Sequence, residues 1–434
     1  MLEKLFKLKE NKTTAPREIL AGVVTFMTMA YIIFANPGIL ADAMGKEFFP
    51  ALVVATCLAA GITTICMGLF SNYPLALASG MGLNAALAYG VIIGMKIPWQ
   101  TAMGVIFIEG IIVSILVLTN VREWVMNAIP MDLKRAIGVG IGLFIALIGL
   151  KNSGLVAADP VTFITFGKIG PGSLIALFGL VLTAILMVKK VKGSILIGII
   201  LSTIVAFIAG LVKFTGEAMP GIKPEYFKTF LALDIAGALN LGLIATIFAF
   251  LITDFFDTMG TVFAIGEEAG YVTPDGKVPR LKNVLLIDSL AAVTGGLFCC
   301  SSVTTYIESA SGVGEGGRTG LTSVVTGILF LLAIFFTSWI NIVPGFAVAP
   351  ALIIVGFLMA TIVKSIHWDD MSIAFPAFIT IIMIPLTYSI SKGIGYGFIS
   401  YTLIKLFSGK YKEIHPLMYI VAIAFAVDFF LSSR

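Results

Sequence analysis

The chain has 434 residues, 59% hydrophobic and 12% charged, with a mean hydropathy of +1.05 and a formal net charge of +4. Soluble domains carry about 45–50% apolar and about 25% charged residues, so the composition excludes a soluble enzyme, a disordered chain and a nucleic-acid binder. A soluble chain of this length would divide into two or three domains; this one is expected to form a single bundle in lipid.

In chain order, residues 1–18 are polar and lysine-rich, and the first apolar run begins near Ile19. That run is at least about 20 residues long and lacks a small-x-small cleavage site, so it reads as a first span and not as a cleaved signal. Further spans are expected at 50–70, 75–95, 101–120, 133–151, 172–188, 193–212, 240–264, 282–299, 301–314, 319–341, 346–366, 371–389 and 392–408, with the first at 19–41. That makes fourteen. A run at 416–432 carries Asp428 and is read either as a span or as an interfacial helix. With the N-terminus in the cytoplasm, the inside loops collect nineteen Lys and Arg against eight outside, Arg434 being set aside. This is the positive-inside bias, and it predicts a multi-pass protein of the cell (plasma or inner) membrane.

The longest outside loop, 213–239, divides the spans into seven (19–212) and seven (240–408), followed by a C-terminal segment 409–434. An odd number per half makes the halves run in opposite directions, the inverted-repeat plan that places a substrate at mid-membrane between broken helices. Two segments in matching positions read as broken: Pro74 to Asn84 in the third span and Gly295 to Glu308 in the tenth. Each passes from a short apolar stretch through a serine, an expected N-cap, into a short helix. The four cysteines Cys57, Cys66, Cys299 and Cys300 lie in apolar runs without metal-ligand spacing and read as small buried hydrophobes. No metal site is expected.

A carboxylate at mid-membrane costs about 2.5–3.5 kcal/mol on insertion scales. Glu109, Asp254, Asp257, Asp288, Glu308 and Asp428 all fall inside expected spans, where no Lys or Arg lies deep. They therefore need a proton, hydrogen-bond donors or a visiting partner. Asp254, Asp257, Thr258 and Thr261 have spacings that place them along one helical stripe. Two carboxylates one turn apart in low dielectric do not ionise together easily, which suits proton coupling. Glu308 is expected about two turns past a Ser N-cap, able to accept N–H donors from a flat heterocycle. Asn84 can donate and accept together. Glu109 and Asp288 read equally as structural support or ligand contact. Glu315 with Arg318 reads as solvated, or as a gate at the inner mouth. His367 and His415 fall in loops, so a proton crossing the membrane would have to ride on a carboxylate.

At these residues the chain resembles the nucleobase–cation symporter-2 family, in the branch of hypoxanthine, adenine and guanine permeases. The motifs are Gly22 to Pro37, Gly80-Met-Gly-Leu-Asn84-Ala, Asp254-Phe-Phe-Asp257-Thr258-Met-Gly260-Thr261 and Thr304-Thr-Tyr306-Ile-Glu308-Ser-Ala-Ser-Gly312-Val, spread over both halves. The resemblance implies fourteen helices in a core and a gate domain, with short strands facing each other in the third and tenth spans. It implies that Asp254 and Glu308 hold a base, Asn84 assists and Tyr306 sits beside the ring, with Gly82 and Thr304 completing the site. Asp257, or Asp254, would be linked to the proton, and Thr258, Asp288 and Glu109 would support them. Ser79 stands where the family more usually has proline. Thr258 stands where the uracil-type relatives place a histidine, so their coupling scheme does not transfer. The expected activity is proton-coupled import of purine bases by alternating access, with no cofactor, no nucleic-acid partner, sodium as an open alternative driver and a homodimer left open. The rivals are a carrier of uracil or xanthine, an anion exchanger, a channel and an intramembrane aspartyl protease. The protease would need its two acids on facing helices, whereas Asp254 and Asp257 share one.

Overall fold

Without water to bond, the backbone of a long apolar run satisfies its own N–H and C=O groups, and helices result. The computed structural model describes residues 2–119, 129–212, 223–271 and 278–432. The outer connection expected at 213–239 therefore lies outside the described residues over 213–222, as do Arg122, Lys277, Arg434 and the side chain of Asp428.

The helices are α1 (Ala15–Met29), α2 (Ile32–Met44), α3 (Phe49–Ser71), α4 (Met81–Ala85), α5 (Trp99–Leu118), α6 (Met131–Asn152), α7 (Pro171–Val188), α8 (Ser194–Ile208), α9 (Ile244–Ala269), α10 (Leu281–Phe298), α11 (Ser309–Gly314), α12 (Gly320–Ala333), α13 (Gly345–Ala360), α14 (Met371–Thr387), α15 (Ile390–Phe407) and α16 (Pro416–Ser432). Among the described residues nine helical stretches are long and apolar enough to cross a membrane, and four shorter ones are apolar. The protein is a mostly helical, multi-pass membrane protein.

The first expected span is interrupted: α1 ends at Met29, α2 starts at Ile32, and Tyr31 lies at the break. The eleventh is α12 followed by a tight turn, Ile334–Phe336, and a last helical piece, Thr337–Ile340. The 416–432 run is helical as α16 and packs on α15.

The short strands that the resemblance implies for the third and tenth spans are present. Strand β1 (Leu77–Ser79) pairs antiparallel with β4 (Val303–Thr305), joining Leu77 to Thr305 and Ser79 to Val303. Both lie in the broken spans and are buried throughout, so each satisfies backbone groups that a broken helix would leave bare. The loop after α6 folds into an unanticipated hairpin, β2 (Val156–Asp159) with β3 (Phe163–Phe166). Its turn is set by Asp159, whose Oδ1 accepts the N–H groups of Val161 and Thr162 at 2.8 Å each.

Packing sorts the helices into two groups. In one, α3 packs on α12, α5 on α10, and α1 on α12; in the other, α6 packs on α13 and α14, and α14 on α15. Small residues make the first group tight: a Cβ on Gly68 would lie 2.3 Å from the Gly320 carbonyl, and one on Gly61 2.9 Å from that of Gly327. Buried Glu18 ties α1 to the start of α12, accepting from Arg318 N (2.8 Å), Thr319 N (3.2 Å) and the Thr322 hydroxyl (2.6 Å). A carboxylate at a helix N-terminus meets free donors and the positive end of the dipole.

Candidate functional site

The site is built where β1 and β4 meet, inside the first helix group. The serines are not the caps expected of them. Ser79 ends β1, Gly80 precedes α4, and Glu308 itself occupies the position before α11, so Glu308 is not two turns inside a helix. The Ser79 hydroxyl instead donates to the Cys300 carbonyl at 2.7 Å.

Glu308 turns its carboxylate to Tyr31, whose hydroxyl donates to Oε1 at 2.7 Å. The interruption between α1 and α2 is what brings that buried hydroxyl there. Tyr306 donates its hydroxyl to the Ser79 carbonyl at 2.5 Å and its N–H to the Ala76 carbonyl at 2.9 Å, closing the strand pair. Asn84 is fully buried; its Nδ2 donates to the Ser79 carbonyl at 3.3 Å and its Oδ1 accepts nothing.

Helix α9 passes across this crossing. Asp254, Thr258 and Thr261 are buried, whereas Asp257 is exposed. The single polar stripe expected from spacing is thus split. The Thr258 hydroxyl donates to Asp288 Oδ2 at 2.6 Å and lies 2.8 Å from the Thr304 hydroxyl. Asp257 lies close enough to Asp288 and Glu308 for their charges to act on it. The exposure continues along α9 through Gly260, Ala264 and Glu268.

Asp288 on α10 is a hub: Oδ1 accepts the Thr305 N–H at 2.9 Å and the Thr305 hydroxyl at 2.7 Å, and Oδ2 takes Thr258. Thr304 therefore directs its hydroxyl toward α9. Gly82 meets the other helix group: a Cβ there would lie 2.4 Å from Ile141 of α6. Glu109, fully buried on α5, lies near Asp288 and near Ser302, the residue before β4. A small pocket lies between residues 83–95, α9 and the start of α15, lined by Leu83, Ala86, Phe250, Thr253, Ser389 and Ile390. It adjoins Asn84 and Asp254 in sequence and is mostly apolar, with hydroxyls at its edge, a composition that suits a flat organic ligand.

Glu315 pairs with Lys192 at 3.3 Å. Cys57, Cys299 and Cys300 are buried and Cys66 is partly so, all free. Sequence reasoning gave no role to Tyr31, although it lies within a quoted motif, nor to Asn36, whose Nδ2 donates to Thr56 (2.9 Å) and to the Cys300 carbonyl (3.1 Å). A tyrosine beside two threonines in an otherwise apolar run was the available signal.

The sequence model of a permease family matches residues 16–396. Adenine permease AdeP of Escherichia coli (strain K12) is 43% identical over 98% of this chain and 95% of its own. Guanine/hypoxanthine permease PbuG of Bacillus subtilis (strain 168) is 43% identical over 99% of each chain. Among solved structures, the transmembrane domain of the cyanobacterial bicarbonate transporter BicA superposes with a TM-score of 0.66 at 15% identity, over 87% of this chain and 96% of that one. The fold is that of a membrane transporter, and the chain is a permease, not an enzyme. It belongs to the permease family, the nucleobase–cation symporter-2 group whose motifs its sequence carries.

Proposed function

We propose that the protein imports purine nucleobases by proton symport with alternating access. The arrangement that carries the reading is the strand crossing, where Glu308 is held by Tyr31 and the buried acceptors of Asn84 and Asp254 lie on neighbouring elements. A purine offers ring and exocyclic N–H groups, and buried carboxylates are strong acceptors for them. The names of relatives aligned over nearly the whole chain support the substrate class. Asp254 and Glu308 hold the base, Asn84 bonds its edge, Tyr306 braces the strands beneath it, and Thr304 and Thr258 fix α9 against β4. Asp257, on the exposed stripe of α9, is where a proton enters.

The inverted seven-plus-seven arrangement (19–212 and 240–408) makes the two helix groups a core and a gate. The stripe Asp257, Gly260, Ala264 and Glu268 then faces an inward-open path, and Gly82 against Ile141 is a contact across which the groups rock. The N-terminus lies in the cytoplasm, with the chain in the cell membrane. An inorganic-anion exchanger shares the fold, but a site lined by acids repels its cargo. Uracil or xanthine is the nearer rival, because both also offer N–H groups. The test is uptake of radiolabelled adenine, guanine and hypoxanthine into proteoliposomes under imposed pH or sodium gradients, with uracil, xanthine and sulfate as competitors. Saturable accumulation driven by the pH gradient, blocked by purines and not by sulfate, is the expected outcome. Accumulation driven by sodium alone overturns the proton assignment, and sulfate competition overturns the substrate class.

A further inference from the structure

Glu109 is a buried carboxylate that the proposed transport site does not use. It lies midway along α5, fully buried, with the Ser302 hydroxyl and Asp288 as its polar neighbours and no well-formed hydrogen bond to either of its oxygens. Among the described residues no basic side chain forms an ion pair with it. Helices α5 and α10 are in backbone contact on either side of it. A Cβ on Gly110 would lie 2.6 Å from the Val293 nitrogen, and one on Gly296 2.8 Å from the backbone of Phe107. Across that seam stands Asp288, which already takes three donors from Thr258 and Thr305.

Two neighbouring carboxylates in such a place cannot both be anions; one must be neutralised. Asp288, with its three donors, is the better anion, and Glu109, with only the Ser302 hydroxyl beside it, is the better acid. A metal ion suits the place poorly, since it needs a shell of oxygens while those of Asp288 are engaged; groups of three or more metal-ligating side chains are absent among the described residues. We propose that Glu109 carries a proton beside the ionised Asp288 and forms the store for the coupled proton.

The wiring follows from the contacts. Asp257 has an exposed side chain and feels the charges of both Asp288 and Glu308, which links it electrostatically to the store and to the base-binding acid. Asp288 grips β4 through Thr305 and α9 through Thr258, and β4 leads within three residues to Glu308. Losing the stored proton adds a negative charge beside Asp288. That charge reaches the two elements that hold the base without touching the base itself. One proton enters with one neutral purine and leaves to the cytoplasm, so each cycle moves a single positive charge. The titratable groups facing Glu109 are Asp288 directly, with Asp257 behind it and Glu308 beyond.

This assignment rests on the purine-transport reading, and the experiment separates the two. Full-length protein in proteoliposomes is assayed for exchange of labelled for unlabelled adenine or hypoxanthine at equal pH, and for accumulation driven by an alkaline interior. In Glu109→Gln, exchange stays within about twofold of wild type while driven accumulation falls by about tenfold or more, and the pH dependence of exchange flattens. Glu109→Asp, which keeps an acid, recovers accumulation with a displaced pH profile. Accumulation in Glu109→Gln at the wild-type level overturns the proposal. If Glu109→Gln loses both activities, Glu109→Asp decides: an unaltered pH profile there overturns it. Independently of any substrate, infrared difference spectra across a pH titration should contain the C=O stretch of a buried protonated acid that disappears in Glu109→Gln. A wild type that exchanges no purine yet has this band defeats the purine reading alone, and absence of the band defeats the store.

Discussion

The two broken spans occupy matching positions and pair with each other, yet they are held in different ways. The β1 side is shaped by small residues: Ser79 has the one polar side chain in its strand, Gly80 lies under Thr304, and Gly82 abuts Ile141. The β4 side is held by polar groups, with Thr304 and Thr305 tied to Thr258 and Asp288, and Glu308 tied to Tyr31. After the break, the third span continues as a helix to Gly94, whereas α11 stops after six residues. The difference teaches that two paired breaks need not be held alike: one arm is fixed by the close packing of small residues, the other by hydrogen bonds.

Breaking the polar arm should cost most. Asp288→Ala leaves three buried donors without their charged acceptor and is expected to destabilise the protein by about 3 kcal/mol or more, read as a lowered melting temperature in detergent and reduced surface expression. An unaltered melting temperature would remove Asp288 as the hub. If the proposed site is right, Glu308→Ala takes an acceptor from the base, a loss of about 1.5–3 kcal/mol. Uptake should weaken by an order of magnitude or more at normal expression, and unchanged kinetics would end the site assignment. Tyr31→Phe leaves the carboxylate but removes its one described donor; about 1 kcal/mol predicts a several-fold rise in the apparent KM, with melting temperature nearly constant.

The shape arm should respond differently. Gly82→Val drives two methyl groups into Ile141, so maximal rate falls while purine affinity holds; equilibrium binding of labelled purine set against the uptake rate separates the two. The smallest effect lies outside both arms, at the start of α14. There the hydroxyl and N–H of Ser372, with Lys410 at 3.2 Å, hold the Asp370 carboxyl well below the usual carboxylate range. A group lowered by folding stabilises above its unfolded value, near 4, and that contribution is lost as pH falls through the depressed folded value. Asp370→Asn should therefore lower the melting temperature slightly at neutral pH and not at strongly acidic pH.

The apolar runs and the two interruptions were legible because hydropathy and glycine or serine placement are local properties. Asp254, Glu308 and Asn84 were legible as residues out of place in oil. Their partners were not. The acceptors of Tyr31, Thr305 and Thr258 lie 277, 17 and 30 residues away along the chain, and no periodicity encodes such pairings. Spacing alone placed Asp257 with Asp254, because both fall within one broad helical face. The structure divides that face, since β4 and α10 cover the side of Thr258 and leave the side of Asp257 open. The interruption at Tyr31 escaped notice because the run 19–41 stays apolar through it, and Pro37 comes only after it.

Tyr306 and Ser79 are 227 residues apart, and the register between their strands joins the first half of the protein to the second. Synthesis proceeds from the N-terminus, so β1 enters the bilayer long before its pairing edge exists. Until the ribosome has delivered β4, the newborn first half must keep three residues of bare backbone away from hydrocarbon, against the insertion machinery or an assisting chaperone. Truncated nascent chains ending before residue 303 should therefore be turned over by membrane proteases faster than chains that end just beyond it.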